Sequence, residues 1–202
     1  MSHWLVQVEE AWRKGRASKI DKMNVYQWLD YSKKLTKQNP NKELIVLYNG
    51  VGRGNFIACV VKVSDARMNE YGLNTQGFIA EHDTFYYYPK DEDEANFITA
   101  ILNSDFVFGI LWTIKSARHI QKKIWELPIP TYDPKNNLHY QLAKLGKKCA
   151  EKTKVILENE LKAFESIDAM QTSTTGILRK TIKLQLAQEM TQINQIVASL
   201  LQ

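Results

Sequence analysis

Cysteine and histidine are scarce in this sequence, and neither recurs at the spacing of a metal site. The 202 residues include two cysteines and four histidines, and no CxxC pair is present. Cys59 and Cys149 lie far apart in the chain. A zinc site and a disulfide framework are therefore not expected, and a reducing cytoplasm is the expected compartment.

Long uninterrupted hydrophobic segments are also missing. The most apolar region, residues 97–114, is divided by Asn103-Ser104-Asp105, which predicts a buried core element instead of a membrane span. The N-terminal residues include acids where a secretory signal has basic residues. We therefore expect neither a signal peptide nor a membrane partner.

Motifs of an active site are absent as well. The sequence has no phosphate loop, no nucleophile elbow and no HExxH pair. The glycines of residues 49–55 resemble a dinucleotide loop, but a second predicted strand follows them where that loop requires a helix. The acidic run 91–94 is typical of a helix N-terminus, and Glu81-His82-Asp83 of a polar turn. We expect no catalytic residue; a nuclease using Asp91, Asp93 and Glu94 is the remaining enzymatic alternative.

Positive charge is what the sequence does concentrate. The formal net charge is +5 and the pI is about 9.0, a balance that favours a polyanionic partner. The first 40 residues hold eight basic and four acidic side chains, and residues 106–125 contain no acid at all. Residues 115–130 follow the apolar region and end in a Leu-Pro-Ile-Pro strap that stops regular structure. We expect this basic segment to present side chains to an anionic ligand.

Hydrophobic periodicity predicts an α+β fold. Residues 44–48 and 56–61 are predicted to form a β-hairpin, and further strands are expected at 77–80 and 84–88. Apolar residues at helical spacing predict one helix after the acidic run and a second from Asp105 to about Ile114, which Ser104 or Asn103 can cap. The domain of residues 1–134 is therefore expected to be a small mixed or antiparallel β-sheet with helices.

The remaining residues, 135–202, are predicted to form an antiparallel helical hairpin. A long helix with an apolar stripe from Leu138 to Met170 is expected first. Residues 172–176 are expected to break it, and residues 182–200 carry the stripe of a second helix. Such a hairpin could pack on its own domain, on a partner protein or on a second copy of the chain.

Several segments in this order resemble a known family. They are LDYSKKLTKQNP, EHDTFYYYPKDEDEANFITAILNS, SARHIQKK, ELPIPTYDPKNNLHYQLAKLGKKC and INQIVASLL. Together they resemble the C-terminal target-recognition region of bacterial N6-adenine DNA methyltransferases of type II and IIG restriction-modification systems. They are also similar to a recognition domain of type I specificity subunits.

The resemblance implies a non-catalytic module that recognises a specific sequence in double-stranded DNA. The S-adenosylmethionine site and the Asn-Pro-Pro-aromatic motif of the family are missing here, since Asn39-Pro40-Asn41 lacks the second proline. No cofactor is therefore expected in this chain, and S-adenosylmethionine is expected on a catalytic domain or partner subunit. The helical hairpin would dock on that subunit, or could form a homodimer.

Candidate DNA contacts fall into two groups by chemistry. Lysines would neutralise phosphates without reading sequence, whereas Arg118 suits guanine and Gln121 suits adenine. The full set of expected contacts is Lys33, Lys34, Lys37, Gln38, Arg53, Asn55, Lys115, Ser116, Arg118, His119, Gln121, Lys122 and Lys123.

Two further points stay open at the level of sequence. Tyr26 and Trp28 could lie in the core, and the strand at Tyr86-Tyr87-Tyr88 can send at most half of its rings to one face. The alternative to DNA recognition is a protein–protein assembly module, in which the helical hairpin is the functional surface and the basic patches are incidental.

Overall fold

The computed structural model describes residues 2–15, 22–50, 56–64, 77–81, 83–114, 123–161 and 172–201. These residues have an α+β fold with seven α-helices and a three-stranded antiparallel sheet. In chain order the elements are α1 (Ser2–Gly15), α2 (Val25–Leu29), β1 (Leu44–Asn49), β2 (Ala58–Lys62), β3 (Thr84–Tyr87), α3 (Glu92–Leu102), α4 (Asp105–Ile114), α5 (Asn137–Leu161), α6 (Thr172–Gln185) and α7 (Ala187–Leu201). Short 3-10 helices lie at Tyr31–Lys33 and Lys123–Glu126.

β1 is the central strand, with β2 along one edge and β3 along the other. Both pairings are antiparallel, and Leu47 of β1 lies opposite Cys59 on one side and Tyr86 on the other. The predicted hairpin of β1 and β2 and the predicted strand at 84–88 are therefore confirmed.

The prediction of a strand at residues 77–80 is wrong. The backbone of Ala80 does not join a ladder, because its N–H and its carbonyl oxygen are both bonded to the side-chain amide of Gln38. A side chain thus takes the bonds that a neighbouring strand would otherwise make, and residues 77–80 cover the sheet instead of extending it.

Both faces of β1 are buried, by different parts of the chain. Val46 and Tyr48 belong to a core shared with α3, α4 and the C-terminal helices. Ile45 and Leu47 face the other way, into a smaller cluster with Ala80. Burial on both sides explains why β1 reads as a continuous apolar run and not as an alternating one.

The two central helices begin at side-chain caps, as the sequence predicts. The Asp91 carboxylate accepts a hydrogen bond from the N–H of Glu94 at 2.8 Å, at the start of α3. The Ser104 hydroxyl accepts one from the N–H of Val107 at 3.2 Å, at the start of α4. Each cap satisfies an N–H that has no partner within its own helix.

Within the described ranges no single helix is long and apolar enough to cross a membrane. α3 and α4 pass that test only as a joined pair, and a bend of 60° separates them.

Asn103, at the bend between α3 and α4, holds the edge strand β2 in place. Its side-chain amide donates to the carbonyl oxygen of Ala58 at 2.8 Å and accepts from the N–H of Ala58 at 2.9 Å.

The C-terminal helices differ in two respects from the predicted hairpin. Residues 172–176, expected to break the helix, are the first turn of α6. The predicted second helix is interrupted at Leu186, which separates α6 from α7, and the predicted end of the first helix at Met170 lies outside the described residues. The first turn of α6 is rich in threonine and serine, residues that are disfavoured inside helices but favoured at their N-termini.

Helix α7 packs back along α5, and α5 joins the C-terminal helices to the sheet domain. Leu142, near the start of α5, lies in the same core as Val197, near the end of α7, so the two helices run antiparallel. α5 also approaches α3 closely: a Cβ added at Gly146 would lie 2.3 Å from the carbonyl oxygen of Asn96. The predicted units 1–134 and 135–202 therefore share one hydrophobic core.

A buried carboxylate fixes the other end of this helix pair. Glu189 of α7 is almost fully buried, and its Oε1 lies 2.6 Å from the ammonium of Lys152 and 3.0 Å from that of Lys148, both on α5. These two lysine contacts, Lys152 first, lower the pKa of Glu189 from 4.5 to about 2. Its Oε2 has no hydrogen-bond partner among the described residues.

We predict that Glu189→Gln destabilises the fold in a pH-dependent way. At neutral pH the loss should be about 1.5–3 kcal/mol, the contribution of hydrogen bonds to a charged group. Because the folded pKa is depressed, this stabilisation is complete above the ordinary pKa of 4.5 and disappears as the pH falls to about 2. Urea unfolding at neutral pH and at successively lower pH should show the two proteins converging.

The matched control is Glu126→Gln, which removes the partner of Lys123 in an exposed ion pair. This change should alter the unfolding free energy by less than about 1 kcal/mol. Equal losses for the two variants would contradict the role assigned to Glu189.

Candidate nucleic-acid interface

The described residues contain five of the expected DNA contacts. Lys33, Lys34, Lys37 and Gln38 lie between α2 and β1, and Lys123 begins the second 3-10 helix. The other expected contacts lie outside the described residues: Arg53, Asn55, Lys115, Ser116, Arg118, His119, Gln121 and Lys122.

Residues 30–38, which we call the lysine turn, are organised around the carboxylate of Asp30. Its Oδ1 accepts hydrogen bonds from the N–H of Leu35 at 2.8 Å and of Thr36 at 3.2 Å. Its Oδ2 accepts from the hydroxyl of Thr36 at 2.6 Å. The hydroxyl bond is the main cause that holds the pKa of Asp30 below its ordinary value. The carboxylate therefore remains ionised and closes the turn.

Two residues of the lysine turn have backbone conformations that are rare for residues other than glycine. Ser32 has φ of 60° and Lys33 has φ of 56°, both in the left-handed region although neither is glycine. The N–H of Lys33 donates to the carbonyl oxygen of Asp30 at 2.7 Å. Such a conformation persists only where surrounding bonds impose it. The side chains of Lys33, Lys34 and Lys37 project from this fixed turn and are exposed.

Gln38 does not present its amide to a ligand, contrary to the sequence-based expectation. The residue is only 8% exposed. Its Oε1 accepts from the N–H of Ala80 at 2.8 Å, while its Nε2 donates to the carbonyl oxygens of Ala80 at 2.7 Å and Lys34 at 3.0 Å. Because both ends of the amide are bonded to backbone, we remove Gln38 from the base-reading candidates. Its role is to anchor the lysine turn on the sheet domain.

The residues after Gln38 strengthen this anchor. The N–H of Asn39 donates to the hydroxyl of Tyr88 at 2.8 Å. Gly77 lies so close to Pro40 that an added Cβ would come within 2.4 Å of the Pro40 carbonyl oxygen. The turn is therefore held against residues 77–88 by both hydrogen bonds and close packing.

Aromatic side chains precede the lysines and are exposed, which the sequence did not settle. Tyr26 is 54% exposed and Trp28 is 43% exposed, so neither lies in the core. Tyr31, at the start of the turn, is 59% exposed. The ring of Trp28 lies 6.2 Å from that of Trp12 of α1, between ring centroids. In the sequence these three aromatic residues come directly before Lys33, Lys34 and Lys37.

Tyr86 and Tyr87 of β3 and the following Tyr88 alternate between the two faces of the sheet. Tyr87 points toward α3, where its hydroxyl donates to the buried carboxylate of Glu94 at 3.0 Å. Tyr86 and Tyr88 point to the opposite face, with ring centroids 5.0 Å apart. Burial, followed by the Glu94 contact, raises the pKa of Tyr87. All three rings are partly buried in packing contacts and not arranged as one open platform.

Residues 123–130, the part of the basic segment that the structure describes, are fixed to the sheet through Trp125. Its indole N–H donates to the hydroxyl of Tyr48 at 2.9 Å, and its ring lies 5.4 Å from that of Tyr87. Burial raises the pKa of Tyr48 to about 12. Lys123, one residue before the buried Ile124, pairs with Glu126 at 2.9 Å. This pairing neutralises part of the charge that Lys123 would offer to a phosphate.

Three of the acidic residues considered above for catalysis are engaged in local hydrogen bonds. In the part of the chain that the structure describes, no group of three histidine, cysteine or acidic side chains could hold a metal ion. Asp91 and Glu94 belong to the nuclease alternative given above. The Asp91 carboxylate caps α3, and the Glu94 carboxylate accepts a hydrogen bond from the hydroxyl of Tyr87. The Glu81 carboxylate accepts from the N–H of Asp83 in a local turn, and His82 lies outside the described residues.

The chain matches no family model, no curated protein and no solved structure.

Proposed function

We propose that this chain is the non-catalytic, sequence-specific double-stranded DNA recognition module of a bacterial restriction-modification adenine methyltransferase, acting in the cytoplasm. The observation that carries the proposal is the lysine turn, which displays three exposed lysines on a backbone fixed by Asp30 and Gln38. Because the backbone of the turn is already ordered, binding of its lysines to phosphates does not require the ordering of a loop. The sequence resemblance supplies the methyltransferase context.

The proposed division of labour follows the chemistry of each segment. The lysine turn holds the phosphate backbone and sets the orientation of the duplex. Base reading is assigned to Arg118 and Gln121, which lie in residues 106–125, the stretch without acidic residues. Arg53 and Asn55 are additional contacts. A partner domain or subunit binds S-adenosylmethionine and carries out methyl transfer, and the C-terminal helices dock on it.

A binding selection from a randomised duplex library tests sequence-specific recognition directly. We expect the chain to enrich one motif, and we expect Arg118→Ala to relax preference at one position of that motif by about 1–3 kcal/mol. The selection should be run with both proteins at two salt concentrations. Salt-sensitive binding without an enriched motif would contradict specific recognition by this chain alone, and no binding would refute the DNA role.

Lys33→Ala and Lys37→Ala test the phosphate role of the lysine turn. Each should weaken binding to all duplexes alike and reduce the slope of log affinity against log salt by about one unit, because one fewer counterion is released. Fluorescence anisotropy titrations on one duplex at several salt concentrations would measure the slope.

Lys135→Ala provides the matched control, since Lys135 is an exposed lysine in the turn before α5. It should leave the slope unchanged. If Lys135→Ala and Lys33→Ala had equal effects, binding would depend on net charge alone and the lysine turn would have no special role.

A second candidate function, assembly through the helical unit, is favoured by α6. Ile177 and Leu184 are 65% and 77% exposed, the highest values among the large exposed hydrophobic residues of the described chain. They are seven residues apart and thus lie on one helix face, with Lys180 between them. Two largely exposed apolar side chains on one helix face, with a lysine beside them, are what a docking contact through α6 would use.

Leu184→Asp tests whether this face of α6 joins two copies of the chain. If it does, the wild-type protein should sediment with a concentration-dependent mass, and Leu184→Asp should remain monomeric while its DNA affinity is unchanged. Val6→Asp is the matched control, because Val6 is also an exposed hydrophobic residue but lies on α1. A wild-type protein that is monomeric at all concentrations would exclude self-assembly through α6.

A further inference from the structure

The lysine turn contains an acidic residue, Asp30, whose charge should oppose the binding of phosphates. The Thr36 hydroxyl, and to a smaller extent the charge of Lys33, lower the pKa of Asp30. The carboxylate is therefore ionised and lies close enough to Lys33 to attract its ammonium group. On charge alone, removal of this carboxylate should strengthen the binding of a polyanion.

Other acidic residues lie in the segments that pack against the turn. They include Glu43, Glu81 and Asp83. The Glu81 carboxylate accepts a hydrogen bond from the N–H of Asp83 at 3.0 Å, and the Glu43 carboxylate accepts one from the N–H of Ser64 at 3.2 Å. Within the part of the chain that the structure describes, none of the turn's three lysines forms an ion pair with an acid. Asp30 is therefore the acid that bears most directly on these lysines.

The side chain of Asp30 shapes the backbone from which the lysines project. It accepts hydrogen bonds from the N–H groups of Leu35 and Thr36 and from the Thr36 hydroxyl. The main-chain carbonyl oxygen of Asp30 accepts from the N–H of Lys33 at 2.7 Å, and that of Lys33 accepts from the N–H of Lys37 at 3.1 Å. The backbones of Lys33 and Lys37 are thus tied to each other and to Asp30.

Loss of the carboxylate would remove the bonds that impose the unusual backbone of the turn. Ser32 and Lys33 are left-handed, and residues other than glycine keep that conformation only where their surroundings enforce it. A turn without those bonds would have to be ordered again each time a ligand binds, and this ordering weakens binding. The repulsion between exposed charges, in contrast, is screened by salt.

We infer that Asp30 is a positioning residue of the proposed DNA site: its carboxylate strengthens the binding of the DNA backbone although its charge opposes that binding. The inference rests on the DNA role proposed above and identifies what holds the lysines of that site in place. Asp30 acts on the ligand through Lys33 and Lys37, because its own oxygens are bonded inside the turn.

Asp30→Ala and Asp30→Asn form a matched pair, because both remove the same charge. Asparagine keeps a side-chain carbonyl oxygen for the N–H groups of Leu35 and Thr36, whereas alanine keeps none. On a fluorescein-labelled duplex, Asp30→Asn should bind within about twofold of the wild type or more tightly. Asp30→Ala should bind about fivefold more weakly or worse, since left-handed backbone must be ordered again. Anisotropy titrations measure both affinities, and urea midpoints show that both variants are folded.

A double variant separates positioning from a purely structural effect. Lys33→Ala should weaken binding less in the Asp30→Ala background than in the wild type, because a lysine that is not held in place contributes less to binding. If Asp30 only stabilised the fold, the effect of Lys33→Ala would be the same in both backgrounds, and the positioning role would be refuted.

Limited digestion with trypsin tests the turn without DNA. Trypsin cleaves after lysine and requires a locally opened chain. Cleavage after Lys33, Lys34 and Lys37, followed by mass spectrometry, should be about fivefold faster in Asp30→Ala than in Asp30→Asn. Cleavage after Lys135, an exposed lysine before α5, should be equal in the two variants.

The outcomes distinguish this inference from the proposed function. If Asp30→Ala binds the duplex as tightly as Asp30→Asn, or more tightly than the wild type, the carboxylate only repels the ligand and the positioning role is refuted. Equal trypsin cleavage of the turn in the two variants would also refute it. In either case a loss of affinity in Lys33→Ala leaves the DNA role standing. If the wild type binds no duplex, the DNA role and the positioning role both fail.

Discussion

The burial of β1 on both faces is the constraint on which the rest of the structure depends. On one face Tyr48 packs against Phe85, with ring centroids 5.5 Å apart, and accepts the indole hydrogen bond of Trp125. On the other face Leu47 and Ile45 pack with Ala80, whose backbone holds Gln38. One strand thereby fixes both segments that carry the basic residues, the lysine turn on one side and the start of the second 3-10 helix on the other.

This constraint explains why a turn with two strained residues is tolerated. Left-handed conformations at Ser32 and Lys33 each cost of order 1 kcal/mol or more. The bonds of Asp30 inside the turn and of Gln38 at its end compensate for that cost locally. Gln38 reaches a backbone that is already buried, so its hydrogen bonds are protected from competition by water. The shape of the turn is thus set by the bonds of Asp30 within it and by the sheet domain, to which Gln38 anchors it.

The sequence predicted those features that depend on local patterns. The β1–β2 hairpin, the caps at Asp91 and Ser104 and the start of α5 follow from strand propensity, side-chain capping and helical spacing. These are interactions between residues close in the chain, and such interactions leave a visible pattern.

The features that the sequence did not predict depend on contacts between distant residues. Gln38 was expected to read a base because an amide suits adenine; only the fold shows that Ala80, 42 positions away, occupies that amide. Residues 77–80 have the composition of a strand, but the same contact removes their ladder bonds. The break between α6 and α7 at Leu186 carries neither proline nor glycine and so leaves no pattern in the sequence.

The loss of Gln38 from the candidate contacts changes where sequence discrimination must arise in the proposed DNA role. What the lysine turn exposes is ammonium groups, a hydroxyl and one aromatic ring, that of Tyr31, and such groups do not distinguish one base from another. Discrimination requires a guanidinium or a free amide in a groove. Among the expected contacts these groups now belong to Arg53, Asn55, Arg118 and Gln121. In the proposed interface, the two tasks therefore fall to different parts of the chain. Residues before β1 would hold the DNA backbone, and residues between β1 and β2 and after α4 would distinguish one base from another.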